Sequence, residues 1–220
     1  MSSDWEEKLH ICDIGKRMYD KGFVAANDGN ISIRMADGRF LCTPTGVSKG
    51  FMKPEDIAIV DADGRQLDGR LPRTSEILLH LEVYRQIPQI SAVCHAHPPH
   101  ATAFAITGTP LPVGVLPEVE IFLGPVPTAH YATPGTQHLA DSILPHLRNK
   151  ANTILLANHG AIAFDKSLEQ AYFHLETLDM YCRILLLSNQ IGKVQMLPDQ
   201  KVQDLLEIKK RLGIDDPRLG

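Results

Sequence analysis

Two short strings carry the side chains best suited to hold a metal ion. They are Cys94-His95-Ala96-His97 and, far downstream, Asn158-His159-Gly160. Alternate residues of a strand share a face. If 91–97 is a strand, His95 and His97 lean side by side and can chelate one ion. His159 follows a second apolar run, Thr153-Ile154-Leu155-Leu156-Ala157, and could close the triangle. Three imidazoles with an open fourth position describe a catalytic zinc-type site, whereas structural sites use four protein ligands. A chain with ten His can hold a His-x-His pair by chance. The surroundings favour the metal reading. Pro98-Pro99 suits the start of a helix, which leaves the pair at the carboxyl end of a strand, where sites of layered α/β proteins lie.

The rest of the chain must build the frame that brings these residues together. Its 220 residues are 44% hydrophobic and 22% charged, enough for a sizeable core in one compact domain spanning 1–220. The net charge of -4 gives no reason to expect nucleic acid or a membrane surface as partner. Cys12, Cys42, Cys94 and Cys182 form no CxxC pair and read as free thiols of a reducing compartment, the cytoplasm. Cys94 alternates away from the His pair and belongs to the core. The first residues lack a basic-then-apolar signal, and no apolar run approaches the ~18 residues of a membrane span.

Periodicity and punctuation give the elements. A helix is expected over 4–19, with Asp4 as a possible cap and Lys21-Gly22 as its end. Strand-like runs follow at 31–34, 40–43 and 57–60, separated by Gly/Asp turns. A helix over 75–85 presents Ile77, Leu78, Leu81 and Tyr84. Strand 91–97 leads into a helix near 99–106. Residues 108–135, rich in Pro and Gly, read as irregular walls with short strands. A helix over 136–148 precedes strand 153–157, and 161–164 is read as continuing that sheet. Ser167 caps a long helix to about 188, and a last helix covers about 199–212. Hairpin strands with helices on both sides predict a single three-layer α/β/α domain around a mainly antiparallel, mixed sheet.

Five strings sharpen the functional reading: Asn27-Asp28-Gly29-Asn30-Ile31-Ser32, Thr43-Pro44-Thr45-Gly46, Arg73-Thr74-Ser75-Glu76, His95-Ala96-His97 and Asn158-His159-Gly160. In that order they resemble the class II aldolase/adducin family, most closely its fuculose-phosphate and related sugar-phosphate aldolase branch. The resemblance runs from about residue 5 to 190. It implies a homotetramer with active sites between subunits, and one divalent metal per subunit, zinc first, with manganese or cobalt as alternatives. The ligands would be His95, His97 and His159, with Glu76 as a possible ligand in the resting state.

The resemblance also assigns the remaining chemistry. Glu76 would be the acid/base that moves a proton at the substrate carbon. By itself it could equally be a solvated carboxylate at a helix start. Epimerases of the family carry Asp there, so Glu favours aldolase chemistry. Gly29, Asn30, Thr45, Gly46, Thr74 and Ser75 would hold the substrate phosphate. Alone, Gly and Asn read as turn residues. Together they could form a nest of N–H and hydroxyl donors at a helix start. Arg73 could add a charge or face solvent. His80 shares a helix face with Glu76 and reads as structural, while His100 could support the ligand pair. Leu116 falls where the fuculose-phosphate branch has a Tyr that handles the hydroxyl proton. Glu118, Glu120 or Tyr131 could substitute, and the departure opens deoxy- or methylthio-pentulose phosphates as substrates. A decarboxylase of 3-oxo-tetronate 4-phosphates would need a carboxylate-binding cation, with Arg73 and Lys49 as candidates. An epimerase fits less well, and an adducin-like scaffold would have lost the His ligands.

Overall fold

A computed structural model describes residues 4–219. Eight strands form one sheet: β1 (Asn30–Arg34), β2 (Phe40–Cys42), β3 (Ala58–Val60), β4 (Gln66–Asp68), β5 (Ala92–Ala96), β6 (Thr128–Ala129), β7 (Thr153–Leu156) and β8 (Gly160–Asp165). Their order across the sheet is β4-β3-β2-β1-β5-β8-β7-β6. Every neighbouring pair is antiparallel except β6 with β7. The helices are α1 (Asp4–Asp20), α2 (Ile77–Gln86), α3 (Pro99–Thr107), α4 (Pro117–Phe122), α5 (Gln137–Ser142), α6 (Leu144–Arg148), α7 (Leu168–Ile191) and α8 (Asp199–Arg211).

Strand alternation sorts the apolar residues into two cores, one on each face. Ile31, Ile33, Cys94, Ala161 and Ala163 pack beneath α1, α3 and α7. Cys42, Val60, Val93, Ile162 and Phe164 pack beneath α2, α5 and α6. This is the expected three-layer frame, and Cys94 sits in its core as expected. Ser167 caps α7 by accepting a hydrogen bond from the Gln170 N–H.

Several boundaries differ from the sequence reading. The helix expected over 136–148 is two: Pro145 has no N–H to continue the first and sits in the opening turn of the second, which begins at Leu144. The segment 108–135 contains α4 and β6, elements too short to show a period. Strand β4 was not predicted: its three residues are all exposed. In α1 the buried stripe is Ile11, Ile14, Gly15 and Met18, and Leu9 faces outward. Asp4's carboxylate reaches Arg39 at 3.0 Å. Residues 161–164 do continue the sheet, as the second arm of the β7–β8 hairpin.

Candidate active site

His95 is the penultimate residue of β5, the central strand between β1 and β8. Its Nδ1 donates to the Ala161 carbonyl on β8 at 3.0 Å. That bond fixes the ring and leaves Nε2 with a lone pair. His97 lies just past the strand end, where its backbone N–H bonds to the Phe23 carbonyl at 2.9 Å. The Nε2 atoms of His95 and His97 are 3.2 Å apart. His159 sits in the turn of the β7–β8 hairpin, after Asn158 in the left-handed region (φ 55°). Its ring centroid is 4.6 Å from that of His95 and 5.0 Å from that of His97.

Two glycines permit this convergence. Gly29 has φ +70°, and a Cβ there would lie 2.9 Å from the His95 carbonyl oxygen. A Cβ on Gly160 would overlap the Ala96 carbonyl and reach 2.6 Å from the His97 ring.

The three rings fit a metal ion. One donor atom from each lies within 4.8 Å of the others. Tetrahedral zinc with Zn–N bonds of about 2.0–2.1 Å puts its ligand atoms about 3.3 Å apart, which matches the His95–His97 separation. Burial, then the neighbouring rings of His159 and His97, hold His95 well below its ordinary pKa. Burial likewise lowers His159, against the opposing pull of Glu76. Neutral imidazole is the form that binds metals. Glu76 Oε1 and His159 Nδ1 are buried with no hydrogen-bond partner. A buried carboxylate among neutral rings calls for a cation.

Glu76 is not within the helix, as expected, but at the position just before it (φ -95°, ψ 17°), and its side chain makes no cap bond. It turns instead toward the imidazoles. Oε2 lies 3.4 Å from His95 Nε2, and Oε1 lies 3.5 Å from His159 Nε2. With the rings neutral, these are contacts rather than ion pairs. Asn30, directly opposite His95 in the β1–β5 ladder, donates from Nδ2 to Glu76 Oε2 at 2.8 Å. His80, read from sequence as structural, reaches Asn30 Oδ1 at 2.6 Å through Nε2. Asp28 Oδ2 is 3.5 Å from His97 Nδ1. Sequence reasoning missed Asp28 beside His97, and Ser32 and Tyr84, which continue the bonds behind His80. The one available signal was the spacing of Glu76, His80 and Tyr84 on one helical stripe.

The six residues expected to bind phosphate divide into two groups. The 43–46 and 72–75 segments are drawn together by the Pro44–Arg73 bridge and by bonds from Thr74 N–H to the Thr43 carbonyl and from Thr45 N–H to the Pro72 carbonyl. Thr45, Gly46 and Ser75 are exposed at the rim, and the turn at Gly135 packs beside Ser75. Gly29, Asn30 and Thr74 are buried. The Asn30 amide is committed to Glu76 and His80, and Thr74 Oγ1 accepts the Glu76 N–H at 3.3 Å.

Other candidates are engaged elsewhere. Arg73 is half-buried, and its Nε and a terminal nitrogen donate to the carbonyls of Gly64 and Thr74, so its guanidinium keeps its charge but is anchored to the backbone. Lys49 is buried and donates to the carbonyls of Asn27 and Val47; burial pushes it down to about 8. His100 pairs with Asp179 at 2.8 Å rather than with the ligand rings. Glu120 is buried against Arg218 at 2.6 Å, whereas Glu118 and Tyr131 are exposed. Leu116 precedes α4.

Residues 9–186 match the family described as Class II Aldolase and Adducin N-terminal domain. A 5-deoxy-D-ribulose 1-phosphate aldolase of Bacillus thuringiensis serovar kurstaki is 33% identical over 202 residues, covering 91% of this chain and 93% of that protein. A 3-oxo-tetronate 4-phosphate decarboxylase of Haemophilus influenzae is 30% identical over 210 residues, covering 92% and 97%. The solved structure of an L-fuculose 1-phosphate aldolase superposes with a TM-score of 0.85 at 29% identity, covering 96% of this chain and 98% of that one. The chain belongs to the class II aldolase and adducin family.

Proposed function

We propose that this protein is a metal-dependent aldolase that cleaves a ketose 1-phosphate into dihydroxyacetone phosphate and a short aldehyde. The observation that carries this reading is Glu76, whose carboxylate touches two of three converging imidazoles while its Oε1 has no hydrogen-bond partner. His95, His97 and His159 would hold one divalent ion, zinc first, with manganese or cobalt as alternatives, since imidazole donors accept all three. When bound, the ion supplies Lewis-acid polarisation of the substrate carbonyl.

The chain's own residues do the rest. Thr45, Gly46 and Ser75 at the rim, with Gly29, Asn30 and Thr74 shaping the floor, take the phosphate. The hydroxyl beyond the scissile carbon–carbon bond loses its proton and its carbon becomes the aldehyde. The carbon beside the ketone takes a proton from Glu76, or gives one up in the condensation direction. Glu120 is spent on Arg218, which leaves the exposed Glu118 and Tyr131 as the candidates for handling the hydroxyl proton. The cations a decarboxylase would need, Arg73 and Lys49, are tied to backbone carbonyls. This favours the aldolase.

We place the enzyme in the cytoplasm, as its four free thiols suggest, and assign it a homotetramer with active sites between subunits. Among the described residues no helix is long and apolar enough to cross a membrane. The test is a panel of ketose 1-phosphates, including fuculose, deoxy- and methylthio-pentulose phosphates, assayed for dihydroxyacetone phosphate with and without a chelator. Chelator-sensitive release supports the reading, and the rates rank the aldehyde half. No release from metal-loaded protein overturns it.

A further inference from the structure

Behind Glu76 and Asn30 lie three buried polar side chains, His80, Ser32 and Tyr84, that no part of the reaction uses directly. Glu76, His80 and Tyr84 occur every fourth residue, one at the start of α2 and two within it, and so form one stripe of the helix. Asn30 and Ser32 are alternate residues of β1 and share one face. Four helical residues rise about 6 Å and two strand residues about 6.6 Å, so the two combs stay in step. Asn30 Nδ2 donates to Glu76 Oε2 at 2.8 Å, and His80 Nε2 meets Asn30 Oδ1 at 2.6 Å. Ser32 Oγ meets His80 Nδ1 at 2.7 Å and the Tyr84 hydroxyl at 2.8 Å.

The donor directions follow by elimination. A carboxylate only accepts, so Asn30 presents its NH2 to Glu76 and its carbonyl to His80. His80 Nε2 must then carry a hydrogen. Complete burial keeps that ring neutral, with its pKa pushed down to about 3, so Nδ1 is bare and accepts from the Ser32 hydroxyl. Ser32 has spent its one hydrogen, so the Tyr84 hydroxyl donates to Ser32 Oγ, shared with the Ser32 carbonyl at 2.9 Å. Every donor in the line points toward Glu76, and bonds aligned in this way reinforce one another. The line ends in an amide, which holds position and does not pass protons. It fixes Oε2 and leaves Oε1 with no hydrogen-bond partner.

We infer that His80, Ser32 and Tyr84 are positioning residues that act through Asn30 to hold one Glu76 oxygen and keep the other free for proton transfer. The inference rests on the aldolase reading for its kinetic consequence, but not for its structural one.

The test compares zinc-loaded wild type with His80→Leu, His80→Gln and Ser32→Ala. Gln can place a donor near where Nε2 stood; Leu cannot. On whichever ketose 1-phosphate the wild type cleaves, His80→Leu should lose kcat ~10–100-fold, the range seen when an outer hydrogen-bond partner is removed. KM and zinc content should stay within about twofold. His80→Gln should recover most of the loss, and Ser32→Ala should show a smaller one. In crystals of His80→Leu the Glu76 carboxylate should leave its wild-type position, and in His80→Gln it should stay. A folded His80→Leu with wild-type kcat and an unmoved Glu76 overturns the inference. Should His80→Leu fail to fold, Ser32→Ala decides, and wild-type kcat with an unmoved His80 ring overturns it. If the wild type cleaves no ketose 1-phosphate, the aldolase reading falls separately, and the position of Glu76 in the variant crystals decides the inference alone.

Discussion

His95→Ala or His159→Ala removes one of three donor nitrogens, so zinc bound per chain should drop from near one to a small fraction, as read by metal analysis after dialysis. The loss should exceed the ~10–100-fold that follows removal of an outer partner. Glu76→Gln should act differently. It keeps the shape of the side chain but cannot move a proton, so kcat should fall by roughly 10²–10⁴ with zinc content unchanged. Full turnover in that variant would remove Glu76 from the proton-transfer role. Gly160→Ala tests the packing beneath the rings. The added methyl would collide with the Ala96 carbonyl and the His97 ring, so it should weaken zinc binding without removing a ligand. Unchanged zinc affinity would show that His97 can shift freely.

The proposed metal centre is assembled by two elements whose ends meet at one end of the inner strands. Strand β5 delivers His95 and His97, and the β7–β8 turn delivers His159. The proposed phosphate rim depends on two loops joined by Lys49, whose ammonium donates to the carbonyls of Asn27 and Val47, residues flanking the Gly29 and Gly46 turns. Lys49→Met would strand two carbonyls and lose two charge-assisted bonds. It should lower stability by about 1.5–3 kcal/mol, read as a lower urea midpoint at constant slope, and raise KM more than it lowers kcat. A wild-type midpoint would mean that the loops are held without it. At the other end of the chain, α8 packs on α4 and closes a buried cluster of Lys209, Asp216, Arg218 and Glu120. That cluster explains why Glu120 is unavailable for chemistry.

For the whole molecule, the buried imidazoles make stability fall as pH falls below the ordinary range of histidine. His80 has a folded pKa of about 3, and His95 and His159 are also lowered, while an unfolded His titrates near 6.5. Below about pH 6.5 the unfolded chain therefore binds more protons than the folded one. The stability is present above that pH and is lost as pH falls toward the folded values. Each such His contributes up to about 1.4 kcal/mol per pH unit. Urea unfolding of chelator-treated protein should weaken steeply between pH 6 and pH 5, and His80→Leu should flatten the slope by about one His. Equal stability at the two pH values would contradict buried neutral rings. Light scattering on the intact protein should give four chains per particle. A monomer would oppose sites built between subunits, and the exposed Phe51 and Tyr131 would then remain in solvent.

What the sequence determined by itself was whatever depends on near neighbours. The two-residue period of a strand brought His95 and His97 to one side, and the residues after the run at 153–157 placed His159 at a strand end. Helical periods marked α1, α2 and α7, and alternation gave a sheet covered on both faces. The short strings quoted above carried the family. Tertiary structure alone decided the partners of polar groups, because a hydrogen bond joins residues that the chain order does not relate. Glu76 meets Asn30 across 46 positions and His100 meets Asp179 across 79. Arg73 and Lys49 look like free cations in sequence and are bound to carbonyls in the fold. Elements such as β4 and α4 are too short to show a period and exist because neighbours complete their backbone bonds and packing. His80 is the clearest case: its spacing from Glu76 was visible, but only the approach of β1 put Asn30 between them.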